Sequence, residues 1–208
     1  MSLSNITNNE KLYLLGYTIN YIEEIMKKNN GSINLSTPLN FVFLFAGDAN
    51  SEIAIIEQLL KNYPIIRINN IYLISNYDSH HVANNTRSVI VAKFSTLLLG
   101  TSIHPLTFKE FNILLLENTL FRHNEKVLCF SINSQIVGNR CNNRNEPYEY
   151  IGLFYRIWFI KYKRHILMLG TDKTGFPIKI SNNLLNWNKY SNVELSKYIF
   201  TIFYGNKK

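Results

Sequence analysis

Hydrophobic spacing divides the chain into short, alternating elements. Leu12, Leu15, Ile19, Ile22 and Met26 recur at three- and four-residue intervals between Glu23, Glu24, Lys27 and Lys28, which predicts an amphipathic helix over residues 10–28, stopped by Asn29, Asn30 and Gly31. After a polar connection containing Pro38, the run from Phe41 to Ala46 has no polar interruption and predicts a strand buried on both faces, as in a parallel sheet. Gly47, Asp48, Ala49, Asn50 and Ser51 make a tight turn. Ile53, Ile56, Leu59 and Leu60 then repeat with helical spacing over Glu52–Asn62. Pro64 closes that helix, and Ile71–Ile74 is the next strand. Strand, helix and strand in this order predict a right-handed crossover between parallel neighbours.

Beyond the polar stretch Ser75–Thr86, the β-branched run Val89–Ala92 predicts a third strand, and His104 before Pro105 reads as loop. Thr107 and Glu110 have the spacing of a capping box and open a helix reaching about Phe121. Lys126–Ile132 is a fourth strand, and Gly138–Pro147 is a polar loop rich in Asn and Arg. Ile151–Ile160 and His165–Leu169 read as an antiparallel hairpin across Lys161, Tyr162, Lys163 and Arg164, with a short third strand over Phe176–Ile180. Ser191 and Glu194 repeat the capping-box spacing and begin a terminal helix that ends near Gly205.

With 208 residues, 46% of them hydrophobic and 17% charged, and with neither a repeat nor a low-complexity linker, the chain is expected to form one α/β domain. It comprises the helix at 10–28, a βαβ region over 41–133, and an antiparallel extension with the terminal helix over 149–205. Two cysteines make no disulfide framework, and Cys129, inside Val127–Phe130, is expected as a small buried hydrophobe. There is no basic leader with an apolar core at the N-terminus and no apolar window of about eighteen residues, which predicts an intracellular protein of cytoplasm, nucleus or virion, not secreted and with no membrane span. The net charge of +8 favours a polyanionic partner, RNA or DNA or an anionic membrane surface. The abundance of Asn, Ile and Lys is the bias of AT-rich coding, as in protists and large DNA viruses.

In a doubly wound sheet, the turn after the first strand faces the ligand crevice, because the amides at the following helix N-terminus point outward there. Asn76 and Asp78, past the second strand, would lie beside it, where such side chains accept from ribose hydroxyls. With Phe41–Ser51 in the place of the glycine-rich first motif and Ile71–Asp78 in the place of the second strand, the chain resembles a class I S-adenosylmethionine-dependent methyltransferase over roughly residues 10–170. The resemblance implies a Rossmann-like, mainly parallel sheet with helices on both faces and a C-terminal antiparallel extension. It also implies S-adenosylmethionine contacts from Gly47, Asp48, Ala49 and Asn50, with a ribose contact from Asp78 or Asn76. The family's run of glycines is Gly47 alone here, the stretch to Asp78 is longer, and no Asn-Pro-Pro-Tyr or Asp-Pro-Pro-Tyr sequence occurs.

Arg140, Arg144, Arg156, Lys161, Lys163 and Arg164 interleave with Tyr148, Tyr150, Tyr155, Trp158 and Tyr162, a pattern suited to phosphate contact and base stacking and equally to a core edged by solvated cations. The nucleic-acid candidates are Arg140, Arg144, Lys161, Lys163, Arg164 and Tyr162. Adjacent His80 and His81 would need Asp78, His104 or His123 to complete a metal site, and the spacing matches no zinc motif, so no metal is expected. Nucleophile-elbow, Walker and His-Glu-x-x-His sequences are absent. Two functions follow: a methyltransferase-related domain, active or degenerate, that binds S-adenosylmethionine and nucleic acid, or a non-enzymatic interaction protein that uses its basic aromatic C-terminal part.

Overall fold

A computed structural model describes residues 38–47, 49–64, 66–75, 81–121, 125–131, 145–161, 166–171, 177–179, 191–195 and 197. The helix expected over residues 10–28 lies outside them, as do the loop from Gly138 to residue 144 and the far end of the terminal helix.

The protein is α/β, built on parallel strands. β1 (Leu39–Leu44) pairs in parallel with β2 (Ile68–Ser75) on one side and with β4 (Lys126–Ser131) on the other. β3 (Ser102–Thr107) pairs in parallel with the outer side of β2, so the order is β3-β2-β1-β4. β5 (Ile166–Thr171) and then β6 (Pro177–Lys179) follow beyond β4. All six residues of β1 are buried because the strand is central and covered on both faces. Its alternating side chains feed two cores. Phe41 and Phe43 pack in one core with Ile55, Ile56 and Leu59 of α1 (Asn50–Asn62) and with Ala83, Ile90 and Phe94 of α2 (His81–Phe94). Val42 and Leu44 pack in the other with Phe108, Phe111 and Leu115 of α3 (Phe108–Leu116) and with Ile151, Phe154 and Trp158 of α4 (Asn145–Lys161).

Three sequence expectations are overturned. Val89–Ala92 is not a strand but part of α2, whose buried residues Ala83, Thr86, Ile90 and Phe94 follow helical spacing. Val89 and Val91 point to solvent instead, so the β-branched run is a coincidence of one core residue and two exposed ones. His104 and Pro105 are not loop but lie in β3, an edge strand in which a residue without an N–H is tolerated. The hairpin over 151–160 and 165–169 does not form. Residues 145–161 are one helix, α4, and β5 pairs with β4. Buried Tyr148, Ile151, Tyr155 and Trp158 trace its apolar stripe, and Phe154 and Ile157 widen it.

The capping box is present as read. The Thr107 hydroxyl accepts from the Glu110 amide at 3.2 Å, and the Glu110 carboxylate accepts from the Thr107 amide at 2.8 Å. Ser191 and Glu194 repeat the arrangement, with an Oε2 acceptor 2.8 Å from the Ser191 amide and the Glu194 amide 3.3 Å from the Ser191 hydroxyl. The helical residues 192–195 lie against α4 at Gly152, where a Cβ would stand 1.7 Å from the Asn192 carbonyl oxygen. Arg156 Nε donates to Asn192 Oδ1 at 2.9 Å and Asn192 Nδ2 donates to Glu149 Oε1, fixing that contact from both sides.

Candidate functional site at the C-terminal ends of the strands

The strand order puts β1 at the point where the winding reverses. From β1 the chain passes through α1 and α2 on one face out to β3, whereas β4 is followed by α4 on the opposite face. β1 and β4 thus flank the reversal, and open α/β sheets bind ligands at the C-terminal ends of the strands at such a point. Phe41–Leu44 and Ile71–Ile74 are paired residue by residue, so the two strands expected to be parallel neighbours are adjacent in one sheet.

The turn out of β1 is strained. Phe45 has φ 60° and Ala49 φ 69°, left-handed conformations that glycine adopts freely and that cost a residue with a Cβ about 1 kcal/mol or more. Neither site carries glycine, so this turn shape left no mark in the sequence. Gly47, the glycine that is present, is exposed, and a Cβ there would meet only the Phe45 carbonyl oxygen at 3.8 Å.

Both backbone polar groups of Gly47 are held. Its N–H donates to Glu52 Oε1 at 3.3 Å, and its carbonyl accepts from the Thr86 hydroxyl of α2 at 2.7 Å. The same hydroxyl lies 3.0 Å from the Val82 carbonyl. Thr86 and Glu52 are both buried. Ala49, the N-cap of α1, provides no side-chain cap, and Glu52 in the first turn places its carboxylate against the positive end of the helix dipole. This is the position that holds a pyrophosphate in dinucleotide-binding folds. A phosphate there would face a buried carboxylate, whereas a neutral or cationic group would be favoured by it.

Of the predicted cofactor contacts, Gly47, Ala49 and Asn50 come together on this turn, while Asp48, Asn76 and Asp78 lie outside the described residues. Of the nucleic-acid candidates, Arg140, Arg144, Tyr162, Lys163 and Arg164 lie outside them too, and Lys161 is the last residue of α4. A helix of 17 residues is about 25 Å long, so the chain enters α4 after Arg144 and leaves it at Lys161 about 25 Å away. Tyr148, Tyr155 and Trp158 are buried in the α3–α4 core and offer no face to a base. Tyr150 is half-buried, with the Lys109 ammonium 5.9 Å from its ring centre.

A second constellation, missed in the sequence, crosses the sheet toward the opposite end. His104 Nε2 is 3.1 Å from Asn70 Oδ1, Asn70 Nδ2 donates to Asn40 Oδ1 at 2.8 Å, and Asn40 Nδ2 donates to Glu125 Oε2 at 3.1 Å. Since Asn70 Oδ1 can only accept, Nε2 carries the proton, and every donor in the row points toward the carboxylate. Asn40 is fully buried on the central strand, so the row satisfies a group that would otherwise be costly to bury. The Tyr72 ring stacks on His104 at 5.0 Å, and burial, with the nearby Glu125 charge second, pushes its phenol up to about 12. Burial, with Arg87 second, lowers the pKa of His104. The available signal was Asn40 and Asn70, each two residues before an inward-facing apolar residue of its strand.

Burial raises the Cys129 thiol well above its ordinary range, which makes it inert. Among the described residues, no group of three or more His, Cys, Asp or Glu side chains is placed to hold a metal ion, and no helix is long and apolar enough to cross a membrane. No protein-family model matches this sequence, and no match is found among curated proteins.

Proposed function

We propose that this protein is a Rossmann-like, methyltransferase-related domain that binds S-adenosylmethionine in the crevice beyond β1 and β4. The observation that carries the reading is the β1 turn: a strained backbone at the winding reversal, clamped by Thr86 and Glu52. Strain of this kind persists where a defined backbone shape is required, and the buried Glu52 carboxylate suits a sulfonium cofactor and disfavours a diphosphate. Asp48 and Asn50 belong to the same turn, and Asn76 or Asp78, following β2, would take the ribose hydroxyls. Nucleic acid enters as the acceptor class through Arg140 and Arg144, which precede α4 in the connection that leaves β4 at the crevice. Lys161 ends α4, Tyr162, Lys163 and Arg164 follow it in sequence, and these residues would contact a more distant part of a long strand. β5 continues the parallel sheet beside β4, and β6 pairs antiparallel with β5.

Isothermal titration with S-adenosylmethionine tests the reading. Saturable binding, weakened in Glu52→Gln and not competed by ADP in the parent protein, is expected. No heat and no thermal shift at millimolar cofactor removes it.

A further inference from the structure

We propose that the turn Ser95–Gly100, between α2 and β3, docks on an anionic lipid surface, with Leu97 and Leu99 entering the headgroup region. Leu97 is 65% and Leu99 82% exposed, while Leu98 between them packs against the core shared by α1 and α2. The leucines are held outward by a hydrogen-bonded turn. The amides of Leu97 and Leu98 donate to the Phe94 carbonyl at 3.0 and 2.9 Å, Thr101 N–H donates to the Leu98 carbonyl at 3.0 Å, and the Thr101 hydroxyl donates to the Ile68 carbonyl at 2.7 Å. Gly100 at φ +82° with open space around it completes the reversal into β3.

Charge selects the occupant. From His81 to Phe108 the sequence contains no Asp or Glu, while Arg87 and Lys93 are present and the whole chain carries +8. The acidic residues Glu117 and Glu125 at this end belong to the approach to β4, three strands away from β3. Lys61 in the last turn of α1, Lys93 in the last turn of α2 and Arg67 just before β2 all lie at the N-terminal ends of the strands, the end to which this turn belongs. Lys93 also reaches Glu57 at 2.7 Å, an exposed pair that water screens. Exposed leucines beside cations match a membrane interface, where apolar insertion and attraction to anionic headgroups add. Nucleic acid would reward the cations and leave the leucines in water. The surface lies at the opposite end of the sheet from the β1 turn and is independent of the cofactor reading.

Co-sedimentation of the full chain with phosphatidylcholine vesicles, with and without phosphatidylserine, tests the proposal. Pelleting is expected with phosphatidylserine vesicles at low salt, weakening as salt rises. Each exposed leucine replaced by serine should cut the partition about tenfold. Thermal melting of Leu97→Ser/Leu99→Ser should match the parent, because both side chains are already exposed. Failure of the full chain to pellet overturns the proposal, as does a double variant that pellets as well as the parent. A leucine-dependent dimer that does not pellet assigns the turn to a second copy of the chain and overturns it as well.

Discussion

The Thr86 hydroxyl donates to the Gly47 carbonyl at 2.7 Å, joining the first helical turns of α2 to the turn that leaves β1, 39 residues earlier in the chain. Thr86→Val keeps the shape and removes the donor. Leaving a carbonyl short of its partner should cost about 1–2 kcal/mol in urea unfolding, and the loosened turn should weaken S-adenosylmethionine binding by more than that stability change alone explains. Thr86→Ser, which restores the donor, should recover most of both. Equal cofactor affinity in the valine and parent proteins would show that the clamp serves only the fold.

Ala49→Gly addresses the strain at φ 69° directly. Glycine at a left-handed position relieves about 1 kcal/mol, partly offset by the freedom it adds to the unfolded chain. Thermal melting should therefore show a small rise in stability. A fall would mean that the Ala49 methyl, which is buried, contributes more through packing than its backbone costs.

Acid should destabilise the protein through His104. Its folded-state pKa lies below the ordinary histidine value of 6.5, chiefly from burial and secondarily from Arg87, so protons bind the unfolded chain better. Its contribution is whole above pH 6.5 and is lost as pH falls through the lower folded-state value. His104→Gln, which retains an N–H for Asn70, should flatten the dependence of urea midpoint on pH in that window. Tyr72 acts at the other extreme. With its pKa raised from 10.0 to about 12, its contribution is complete below pH 10 and is lost as pH rises through about 12. Phenolate absorbance followed with pH should show a late-titrating component that is diminished in Tyr72→Phe.

Gly152→Ala separates propensity from packing. In a free helix, alanine would stabilise by about 1 kcal/mol. Here the new methyl group meets the Asn192 carbonyl, so the 191–195 segment must move and Leu195, fully buried, must lose cover. A net loss of about 2 kcal/mol or more is expected, together with faster amide exchange at residues 192–195. A stabilised variant would show that this contact is not made in solution.

Where a single local rule decides the conformation, the sequence was enough. The uninterrupted run Phe41–Ala46 announced a doubly covered strand, and Ile56 and Leu59 marked the buried face of α1. Thr107 and Glu110 fixed the start of α3 by their own mutual hydrogen bonds, which need no distant partner. The adjacency of β1 and β2 was legible to the same extent, because strand, turn, helix and strand in sequence constrain them to be parallel neighbours. Burial that depends on distant partners could not be read this way. Val89 and Val91 look like strand residues until the sheet claims Ala83, Thr86, Ile90 and Phe94 and leaves the valines to water. Residues 151–160 are apolar enough for either element, and packing of α4 against α3 decided in favour of the helix. The glycine-like backbone at Phe45 and Ala49, and the row from Glu125 through Asn40 and Asn70 to His104, draw on four strands or on enforced strain. Periodicity reports which side of an element is apolar, but only the assembled sheet determines what that side meets and which polar groups it brings within hydrogen-bonding distance.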